Sequence, residues 1–358
     1  MPLYLRPTAF VDAPFGLDGR ALRLAGGLTW FSAVEVIRRN GNTRTTELVP
    51  VDRIDQIADA APILARLTAP RPPLNLGTRT VHLDQPQVMA ILNVTPDSFS
   101  DGGRHADPSA AVAAGVDMAA AGAAILDVGG ESTRPRADPV WEGDEIARTR
   151  PVIERLAATA NAISIDTRNA AVMEAALSGG AHLVNDVSAL LHDPRGLEVV
   201  ARAACPVVLM HHLGTPQTMQ DDPRYDDVLL DIYDWLEARI AACEAAGLDR
   251  SRIIVDPGIG FGKTLAHNLA LINGLSLFHG LGCPVLLGAS RKRFIGALSN
   301  EVAADARLGG SIAVALAGAA QGVQLFRVHD VPETVQALRV WRGLRDQALA
   351  PPSSPSLR

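Results

Sequence analysis

Eight short apolar runs follow one another between residues 88 and 327, and each ends in a polar, glycine-rich or charged cluster. The runs are VMAILN, AAILDVGG, AISID, AHLVND, PVVLMHH, RIIVDPG, PVLLGAS and VQLFRVH. Alanine-rich stretches that are long enough for helices separate them. When parallel strands and helices alternate around a closed barrel, the carboxyl ends of all strands meet on one face, where the active site lies. The pattern therefore predicts an α/β fold, a TIM (β/α)₈ barrel, with its polar strand ends gathered into one site.

Length and composition fit one barrel with an additional element. The chain has 358 residues, 47% of them hydrophobic, whereas a (β/α)₈ unit takes about 250 residues. The formal net charge of −6 argues against a general electrostatic grip on nucleic acid. Three cysteines without CxxC spacing indicate a reducing compartment and no zinc site. The amino terminus lacks a signal-peptide layout and no run reaches the roughly 18 apolar residues of a membrane span, so we expect a cytoplasmic protein.

The chain is expected to divide into four segments. Residues 1–69 would form a small N-terminal α/β appendage, and residues 70–87 a proline-rich linker and a lead-in, with a hairpin closing the barrel floor. The barrel would occupy residues 88–347, and residues 348–358 would be a disordered tail. The appendage contains no catalytic constellation. It is either a partner-binding or regulatory element or a cap packed on the barrel, and we favour the cap.

Two helices are predicted inside the appendage. Ser32 could cap a short helix through Val34, Val36 and Ile37 that stops at Asn40-Gly41, a good carboxy-terminal signal. A second pattern has the rhythm of an amphipathic helix. It consists of Ile54, Ile57, Ala61 and Leu64.

Asp166, Asn185 and Asp256 each end a different apolar run. At a barrel mouth they would face one cavity with little water, and buried carboxylates need hydrogen-bond donors. A heterocycle with an amino-imino edge supplies paired N–H groups, and the amide adds both a donor and an acceptor. For a single aspartate a helix N-cap is an equally good interpretation. The three residues together favour a pocket for a flat polar ligand.

The loops after the first two runs carry further candidates. Asn93 offers a neutral oxygen ligand suited to Mg²⁺ that is held mainly by phosphate oxygens and water. Phe99 is the one large apolar residue of a glycine-flanked loop, so it is either part of a lid over a ligand or an anchor to the barrel. Thr133 and Arg134 precede Pro135, and this arginine is either an anion- or ring-binding group or a solvated surface residue.

Cations follow the last two strands. Ser290, Arg291 and Lys292 lie where a strand turns into a helix, so helix-start amides and cations together predict an anion site. Lys292 could alternatively donate to a heterocycle carbonyl. Arg327 and His329 share one face of the final strand, near the usual phosphate position of TIM barrels, although a structural histidine is the ordinary alternative.

The remaining motifs narrow the chemistry. In the segment DPGIGFGKT, Phe261 is expected to form a wall of the pocket and Lys263 to lie near its rim. The sequence has no GxSxG or HExxH motif, and His211-His212 lack metal-ligand spacing. Anion clamps, a magnesium ligand and a flat polar pocket suit displacement of a phosphate-type leaving group without a covalent enzyme intermediate.

Taken in order, these motifs resemble the dihydropteroate synthase family over residues 88 to 330. The matching segments are ILNVTPDSFSDGG, LDVGGESTRP, SIDT, VNDVSA, LMHHLGTPQTMQ, DPGIGFGK, GASRKRFIG and FRVHD. The resemblance implies condensation of 6-hydroxymethyl-7,8-dihydropterin diphosphate with 4-aminobenzoate, giving 7,8-dihydropteroate and pyrophosphate. It further implies a Mg²⁺ cofactor, a homodimer joined through late barrel helices, and sulfonamides as competing ligands, with neither nucleic acid nor membrane as a partner.

The resemblance also assigns roles to single residues. The implied pterin-binding residues are Asp166, Asn185, Met210, Asp256, Phe261 and Lys292. The residues implied for 4-aminobenzoate and the mobile loops are Phe99, Thr133, Arg134, Pro135 and Ser290. Those implied for pyrophosphate are Asn93, Thr133, Arg327 and His329, with Asn93 as the metal ligand. The implied catalytic residues are Asp101, Lys292, Arg327 and His329.

Some features depart from the family pattern. Arg136 replaces a common glycine, His212 replaces an apolar residue, and residues 1–69 have no counterpart in the minimal enzyme. One alternative is a pterin-binding barrel that passes a methyl group from methyltetrahydrofolate to a corrinoid protein. It would have no need for Asn93, the long first loop, or Arg327 with His329. A non-catalytic pterin-binding subunit would be expected to have lost charged strand-end residues, and none is missing.

Overall fold

The computed structural model describes residues 1–41, 43–95, 108–131, 140–214 and 218–350. Its amino-terminal part is an antiparallel sheet built around β3, which pairs with β1 on one side and with β2 and β4 on the other. The sheet is followed by a 3₁₀ turn at Val51–Gln56 and by helix α1 (Ala60–Thr68). Its strands are β1 (Leu3–Val11), β2 (Leu22–Arg23), β3 (Trp30–Asn40) and β4 (Thr43–Pro50).

The helix predicted through Val34, Val36 and Ile37 is wrong, because these residues belong to β3. Branched side chains suit a strand that is covered by neighbours, and β3 has a partner strand on each side. Asn40-Gly41 is accordingly a hairpin turn and not a helix end, since Asn40 pairs with Thr43.

The second predicted helix is divided in two. Ile54 lies in the 3₁₀ turn, whereas Ala61 and Leu64 lie in α1. Asp59 interrupts the pattern with a left-handed φ of 66° immediately before α1. A left-handed residue breaks the run of right-handed helical dihedrals, so one continuous amphipathic helix cannot form.

A short hairpin covers the bottom of the barrel. It consists of β5 (Leu74–Leu76) and β6 (Arg79–Val81), which pair antiparallel. Its apolar residues pack in one buried cluster with residues that lie at or near the starts of the barrel strands, among them Met89, Ile125 and Leu325. The hairpin therefore closes the floor, and the opposite end of the barrel is left to form the site.

The barrel contains eight parallel strands in the order β12-β11-β10-β9-β8-β7-β14-β13. A parallel bridge between Val255 and Val285 joins the two outermost strands and closes the ring. All eight apolar runs of the sequence form these strands. They are β7 (Gln87–Asn93), β8 (Ile125–Gly129), β9 (Ile163–Asp166), β10 (Leu183–Asp186), β11 (Val207–Met210), β12 (Ile253–Asp256), β13 (Leu286–Leu287) and β14 (Leu325–Val328).

Helices alternate with the strands and surround them. Small buried residues such as Ala111, Ala176 and Ala319 allow these helices to approach the sheet closely. In the described part of the chain, no helix has the length and apolarity needed to cross a membrane. The helices are α2 (Pro108–Ala120), α3 (Glu142–Ala157), α4 (Ala170–Ser178), α5 (Gly196–Ala203), α6 (Val228–Ala245), α7 (Leu265–Asn273), α8 (Arg293–Leu298), α9 (Leu308–Ala320) and α10 (Val331–Ala348).

The appendage packs against the side of the barrel at α6 and at the 3₁₀ segment Leu275–Leu281. Tyr4 donates a hydrogen bond to Asp234 at 2.8 Å and its ring meets that of Tyr233 edge-on, with centroids 5.4 Å apart. The hydroxyl of Ser276 donates to the Pro7 carbonyl at 2.8 Å. The appendage also has an apolar core of its own, around residues such as Leu5 and Phe31.

Candidate active site

The polar strand ends converge on one cavity. Arg327 at the end of β14 donates from Nη2 to Asp166 Oδ2 of β9 at 2.5 Å. A Cβ placed on Gly129 would lie 3.5 Å from Asp166 Cβ and 3.8 Å from Asn93 Oδ1, so Asn93 and Asp166 border the same space.

The opposite wall of the cavity is equally close. A Cβ on Gly288 would lie 3.5 Å from Asp256 Oδ2 and 3.9 Å from Arg327 Cβ. Four strand-end residues separated by up to 234 positions, from Asn93 to Arg327, therefore share one barrel mouth.

Asp127 is the central acid of this cavity, and sequence reasoning missed it. It is fully buried in β8, and its Oδ2 accepts hydrogen bonds from Arg327 Nε at 2.6 Å and from Asn185 Nδ2 at 3.0 Å. The signal available in the sequence was an aspartate in the interior of an otherwise apolar run, AAILDVGG. A buried carboxylate needs a partner, so this position could have indicated a buried cation nearby.

The charges of this cluster are unequally compensated. Burial raises the pKa of Asp166 to about 7, against the opposing effect of the Arg327 guanidinium. Burial by itself would lower the pKa of Arg327, but the carboxylates of Asp127 and Asp166 outweigh it and raise that pKa. Asp127 Oδ1 and Asp166 Oδ1 are both buried without a hydrogen-bond partner. The cluster thus retains two buried carboxylate oxygens that no protein donor satisfies.

Asp256 and Lys292 form a second acid–base group. Asp256 Oδ1 accepts a hydrogen bond from the Gly258 amide at 2.7 Å, and burial raises its pKa while Lys292 lowers it. Lys292 donates from Nζ to the Ile259 carbonyl, and Nζ lies 4.4 Å from the centroid of the Phe261 ring. Burial lowers the pKa of Lys292 to about 8, although Asp256 acts in the opposite direction. The Lys292 amine therefore loses its positive charge at a pH just above neutral.

The expected anion site after β13 is only partly formed. Arg291 forms an ion pair with Asp330, so its guanidinium is neutralised by the protein itself. Helix α8, which begins at Arg293, has only six residues. Ser290 is oriented toward the last strand, because its Oγ accepts from the His329 amide at 3.2 Å and lies 3.1 Å from His329 Nδ1.

Met210 and Phe261 surround the cluster with apolar surface. Met210 ends β11, pairs in register with Asp256 and is buried. The Phe261 ring is half-buried and lies under the Lys292 amine. Together they provide apolar surface beside the polar groups, as a flat ligand requires.

Lys263 does not lie near the rim, which corrects the expectation from sequence. It is only 3% exposed, and Nζ lies 2.9 Å from the Phe261 carbonyl and 3.0 Å from His211 Nδ1. Burial holds its pKa well below the usual value. The amine ties the segment after β12 to the end of β11 and faces no open space. Next to it, His212 Nδ1 lies 3.0 Å from the Gly214 carbonyl.

Several predicted site residues lie outside the described residues, namely Phe99, Asp101, Thr133, Arg134 and Pro135. Arg136, which replaces a glycine common in the family, lies outside them as well. The two residues that flank positions 132–139 are nevertheless joined. Glu131 accepts from the Val140 amide at 3.1 Å through Oε1 and binds Arg168 through both oxygens, at 2.9 and 3.0 Å. Glu131 and Arg168 are further residues of this region that sequence reasoning missed.

Comparison with known proteins identifies the family. The pterin binding enzyme family matches residues 89–329. The dihydropteroate synthase of Escherichia coli K12 is 47% identical over 262 residues, which are 73% of this chain and 92% of that protein. A Yersinia pestis dihydropteroate synthase solved with a sulfonamide drug complex is 45% identical with a TM-score of 0.73, covering 76% of this chain and 99% of that one. A Xanthomonas albilineans dihydropteroate synthase solved with 4-aminobenzoic acid is 48% identical with a TM-score of 0.72, covering 77% and 98%.

These matches account for nearly the whole of each relative but leave about a quarter of this chain additional to them. The family match begins at residue 89, so the appendage lies before it. These relatives are dihydropteroate synthases, so the similarity argues against the two alternatives, a corrinoid methyltransferase and a non-catalytic subunit. The barrel, the convergent strand-end cluster and the extent of the similarity lead to one assignment: the chain belongs to the pterin binding enzymes and, among them, to the dihydropteroate synthases, which are transferases.

Proposed function

We propose that the strand-end cavity is the pterin site of the family reaction, in which 6-hydroxymethyl-7,8-dihydropterin diphosphate and 4-aminobenzoate give 7,8-dihydropteroate and pyrophosphate. The observation that carries this proposal is the convergence of Asp166, Asn185 and Asp256, from three different strands, on one barrel mouth. Buried carboxylate oxygens are costly without donors, and the N–H groups of a pterin would supply them. The proposed pterin-binding residues are Asp166, Asn185, Met210, Asp256, Phe261 and Lys292.

The orientation of Asn185 supports the same ligand. Its Nδ2 is engaged by Asp127, so its Oδ1 is the atom available to accept a hydrogen bond. Asp256 and Lys292 then offer an acceptor and a donor from the far wall, which matches the alternating donors and acceptors of an aminopyrimidinone ring. The apolar surfaces of Met210 and Phe261 would cover the faces of the ring.

The proposed chemistry needs no enzyme nucleophile. The neutral arylamine nitrogen attacks the pterin methylene carbon while the bond from that carbon to the diphosphate oxygen breaks. The bonding electrons leave with pyrophosphate, and the nitrogen loses one proton to solvent. Fixed cations near the leaving group lower this barrier most, because negative charge accumulates there. Arg327, whose charge is shared with Asp127 and Asp166, and His329, as a hydrogen-bond donor, are proposed to contact the leaving group, with Lys292 and Asp101 as further catalytic residues.

The proposed pyrophosphate site includes Asn93 and Thr133 together with Arg327 and His329. The small Gly129 beside Asn93 Oδ1 leaves space for a cation there. In the described part of the chain no group of three or more His, Cys, Asp or Glu side chains could hold a metal ion. A single amide ligand fits Mg²⁺, which keeps water and phosphate oxygens as its other ligands. When bound, Mg²⁺ would neutralise part of the diphosphate charge.

We further propose that Phe99, Thr133, Arg134, Pro135 and Ser290 shape the 4-aminobenzoate site and that sulfonamides compete for it. This proposal is supported by the Yersinia pestis and Xanthomonas albilineans enzymes, whose structures hold a sulfonamide drug complex and 4-aminobenzoic acid. We also propose a cytoplasmic location and the division into appendage (1–69), lead-in (70–87), barrel (88–347) and tail (348–358).

A homodimer through late barrel helices is proposed on the character of one surface. Helix α9 has no charged residue from Leu308 to Ala320, and α10 beside it exposes Val340 and Leu344 by 61% and 67%. Exposed apolar residues beside an uncharged helix suit an interface between subunits. Light scattering should give twice the 37.8 kDa mass of the chain; a single chain mass at micromolar concentration would contradict the proposal.

The assay for the function uses purified protein, Mg²⁺, the pterin diphosphate and 4-aminobenzoate, with pyrophosphate release as the readout. We expect release that requires both substrates and is inhibited by a sulfonamide. Asp256→Asn tests the role of the charge in the pterin site, because it keeps the shape of the side chain but removes the charge beside Lys292. Pyrophosphate release should fall sharply in this variant. No release by the unmodified protein at saturating substrates would overturn the proposed function.

A further inference from the structure

The β3–β4 hairpin of the appendage reaches the start of α6. Arg39, near the end of β3, donates from Nη1 to Asp231 Oδ1 at 2.5 Å. Arg44, near the start of β4, donates from Nη1 to Asp227 Oδ2 at 3.0 Å. Because α6 follows the loop after β11, its amino end lies on the same face of the barrel as the strand-end cavity. Arg39 and Arg44 of the appendage therefore bind a helix end that lies on the active-site face of the barrel.

The two carboxylates that these arginines bind also build the start of the helix. Asp227 is the N-cap of α6, and its Oδ1 accepts from the amides of Leu229 and Leu230 at 3.1 and 3.2 Å. Asp231 Oδ2 accepts from the Asp227 amide at 3.2 Å and from the preceding amide at 2.9 Å. Each carboxylate thus uses one oxygen for the helix start and the other for an arginine. The appendage fixes the position of this helix end through them.

The loop before α6 in turn holds the segment after β12, residues 257–263. The hydroxyl of Tyr225 donates to the Gly262 carbonyl at 2.8 Å, and Gln220 Nε2 donates to the Gly260 carbonyl at 2.5 Å. Gly260 and Gly262 have left-handed φ values of 84° and 65°. Glycines at such angles give a segment little stiffness of its own, so these two hydrogen bonds help to fix its shape, together with those that Lys263 and Asn268 make to it.

That segment is a wall of the cavity. Its Gly258 amide binds Asp256, its Ile259 carbonyl accepts from Lys292, and a Cβ at Gly260 would lie 3.1 Å from Lys292 Cδ. A shift of the segment would therefore move both Asp256 and Lys292 relative to a bound ring.

We propose that the β3–β4 hairpin is a buttress of the pterin pocket and that Arg39 and Arg44 are positioning residues for it. They act through the start of α6 and Tyr225 on the segment 257–263. The inference rests on the proposed pterin site. It concerns the part of this chain that lies before the family match, so it gives the appendage a role in the barrel's own reaction.

Arg66 provides a matched control. It joins the appendage to the same helix through Glu237 at 3.0 Å, with side-chain exposures of 39% and 34% that resemble the 37% and 21% of Arg44 and Asp227. Glu237 lies in the middle of α6, ten residues after the N-cap Asp227. A variant here weakens the docking of the appendage without releasing the helix start.

The experiment compares Arg39→Gln/Arg44→Gln, Arg66→Gln and Tyr225→Phe in the full chain. Binding of 6-hydroxymethylpterin is measured by calorimetry, and the KM of each substrate is measured by pyrophosphate release. We expect the double variant to weaken pterin binding by about 3- to 10-fold and to raise the KM for the pterin diphosphate in parallel. The KM for 4-aminobenzoate should change less, and Arg66→Gln should leave pterin binding close to that of the unmodified protein.

Additivity separates positioning from general destabilisation. If the buttress acts through Tyr225, then Tyr225→Phe weakens pterin binding as well, and combining it with Arg39→Gln/Arg44→Gln adds little. Restoring the charges as Arg39→Lys/Arg44→Lys should recover most of the affinity. Equal effects of the double variant and Arg66→Gln, unchanged pterin binding in the double variant, or fully multiplicative effects with Tyr225→Phe would each overturn the inference. Absence of pterin binding by the unmodified protein would instead refute the proposed function.

Discussion

Asp127→Asn tests the charge arrangement at the bottom of the cavity. In the folded protein one oxygen of Asp127 accepts from both Arg327 Nε and Asn185 Nδ2. An asparagine can place its own oxygen at the same point, so both hydrogen bonds remain possible. The substitution removes the negative charge and turns the unpartnered Oδ1 into an N–H donor, while the shape of the side chain stays the same. The level of pterin affinity therefore reports on both changes, whereas the pH at which affinity declines reports on the charge.

The expected loss of unfolding free energy depends on the ion pair with Asp166, which Arg327 retains in the variant. Removing one partner of a buried ion pair costs about 3–5 kcal/mol when the other charge is left alone. Arg327 keeps Asp166 at 2.5 Å, so we expect a smaller loss, about 2–3 kcal/mol of unfolding free energy. With Asp127 neutral, Arg327 acts on Asp166 alone and a neighbouring negative charge is gone. The pKa of Asp166, about 7 in the unmodified protein, should then fall.

The assay follows the dissociation constant of 6-hydroxymethylpterin from pH 5 to 8, together with urea unfolding at fixed pH. Ionised Asp166 accepts hydrogen bonds, whereas protonated Asp166 presents an O–H, so affinity should decline as pH falls through about 7. In Asp127→Asn the decline should begin at a lower pH. A midpoint that stays in place or moves upward would refute the reasoning, as would an unchanged free energy of unfolding.

Three further perturbations have defined outcomes. Because the pKa of Lys292 is lowered to about 8, its charge is present below that pH and is lost above it, so pterin affinity should decline as pH rises past 8; an alkaline limb that persists in Lys292→Arg would contradict this. Arg327→Ala should slow pyrophosphate release by about 10²- to 10³-fold and, because it leaves Asp127 and Asp166 without their cation, also weaken binding of a pterin that lacks the diphosphate; an unchanged rate of release would remove Arg327 from the leaving-group site. Gly258→Ala should cost at least about 2 kcal/mol of unfolding free energy, because its Cβ would lie 1.8 Å from the His211 carbonyl oxygen. Gly247→Ala, also at positive φ but with no atom within 4 Å, is the control for strain alone in the same urea titrations.

The barrel was predictable because its signal is repeated. Eight apolar runs, each ending in a polar cluster, are consistent with one another, and a closed parallel barrel is the arrangement that uses all of them. Strand ends in such a barrel meet whatever their separation along the chain. The sequence alone could therefore assign Asn93, Asp166, Asp256 and Arg327 to one site.

The appendage was not predictable in the same way. Val34 and Val36 have the two-residue spacing of a strand face, whereas Val34 and Ile37 have the three-residue spacing of a helix face. The choice was made by β1 and β4, which lie on either side of β3 and come from other parts of the sequence. Short apolar patterns leave this ambiguity open because the partner strand carries the decisive information.

What the sequence determined by itself is the order of the strands and the identity of the polar groups at their ends. The tertiary structure decided which charges neutralise each other. Arg327 faces Asp127 and Asp166, Arg291 is paired with Asp330, and Lys263 is enclosed by carbonyls and His211. The physical reason is that ion pairing and burial depend on distances of a few ångströms between residues far apart in the chain, whereas strand and helix patterns depend on neighbours along it.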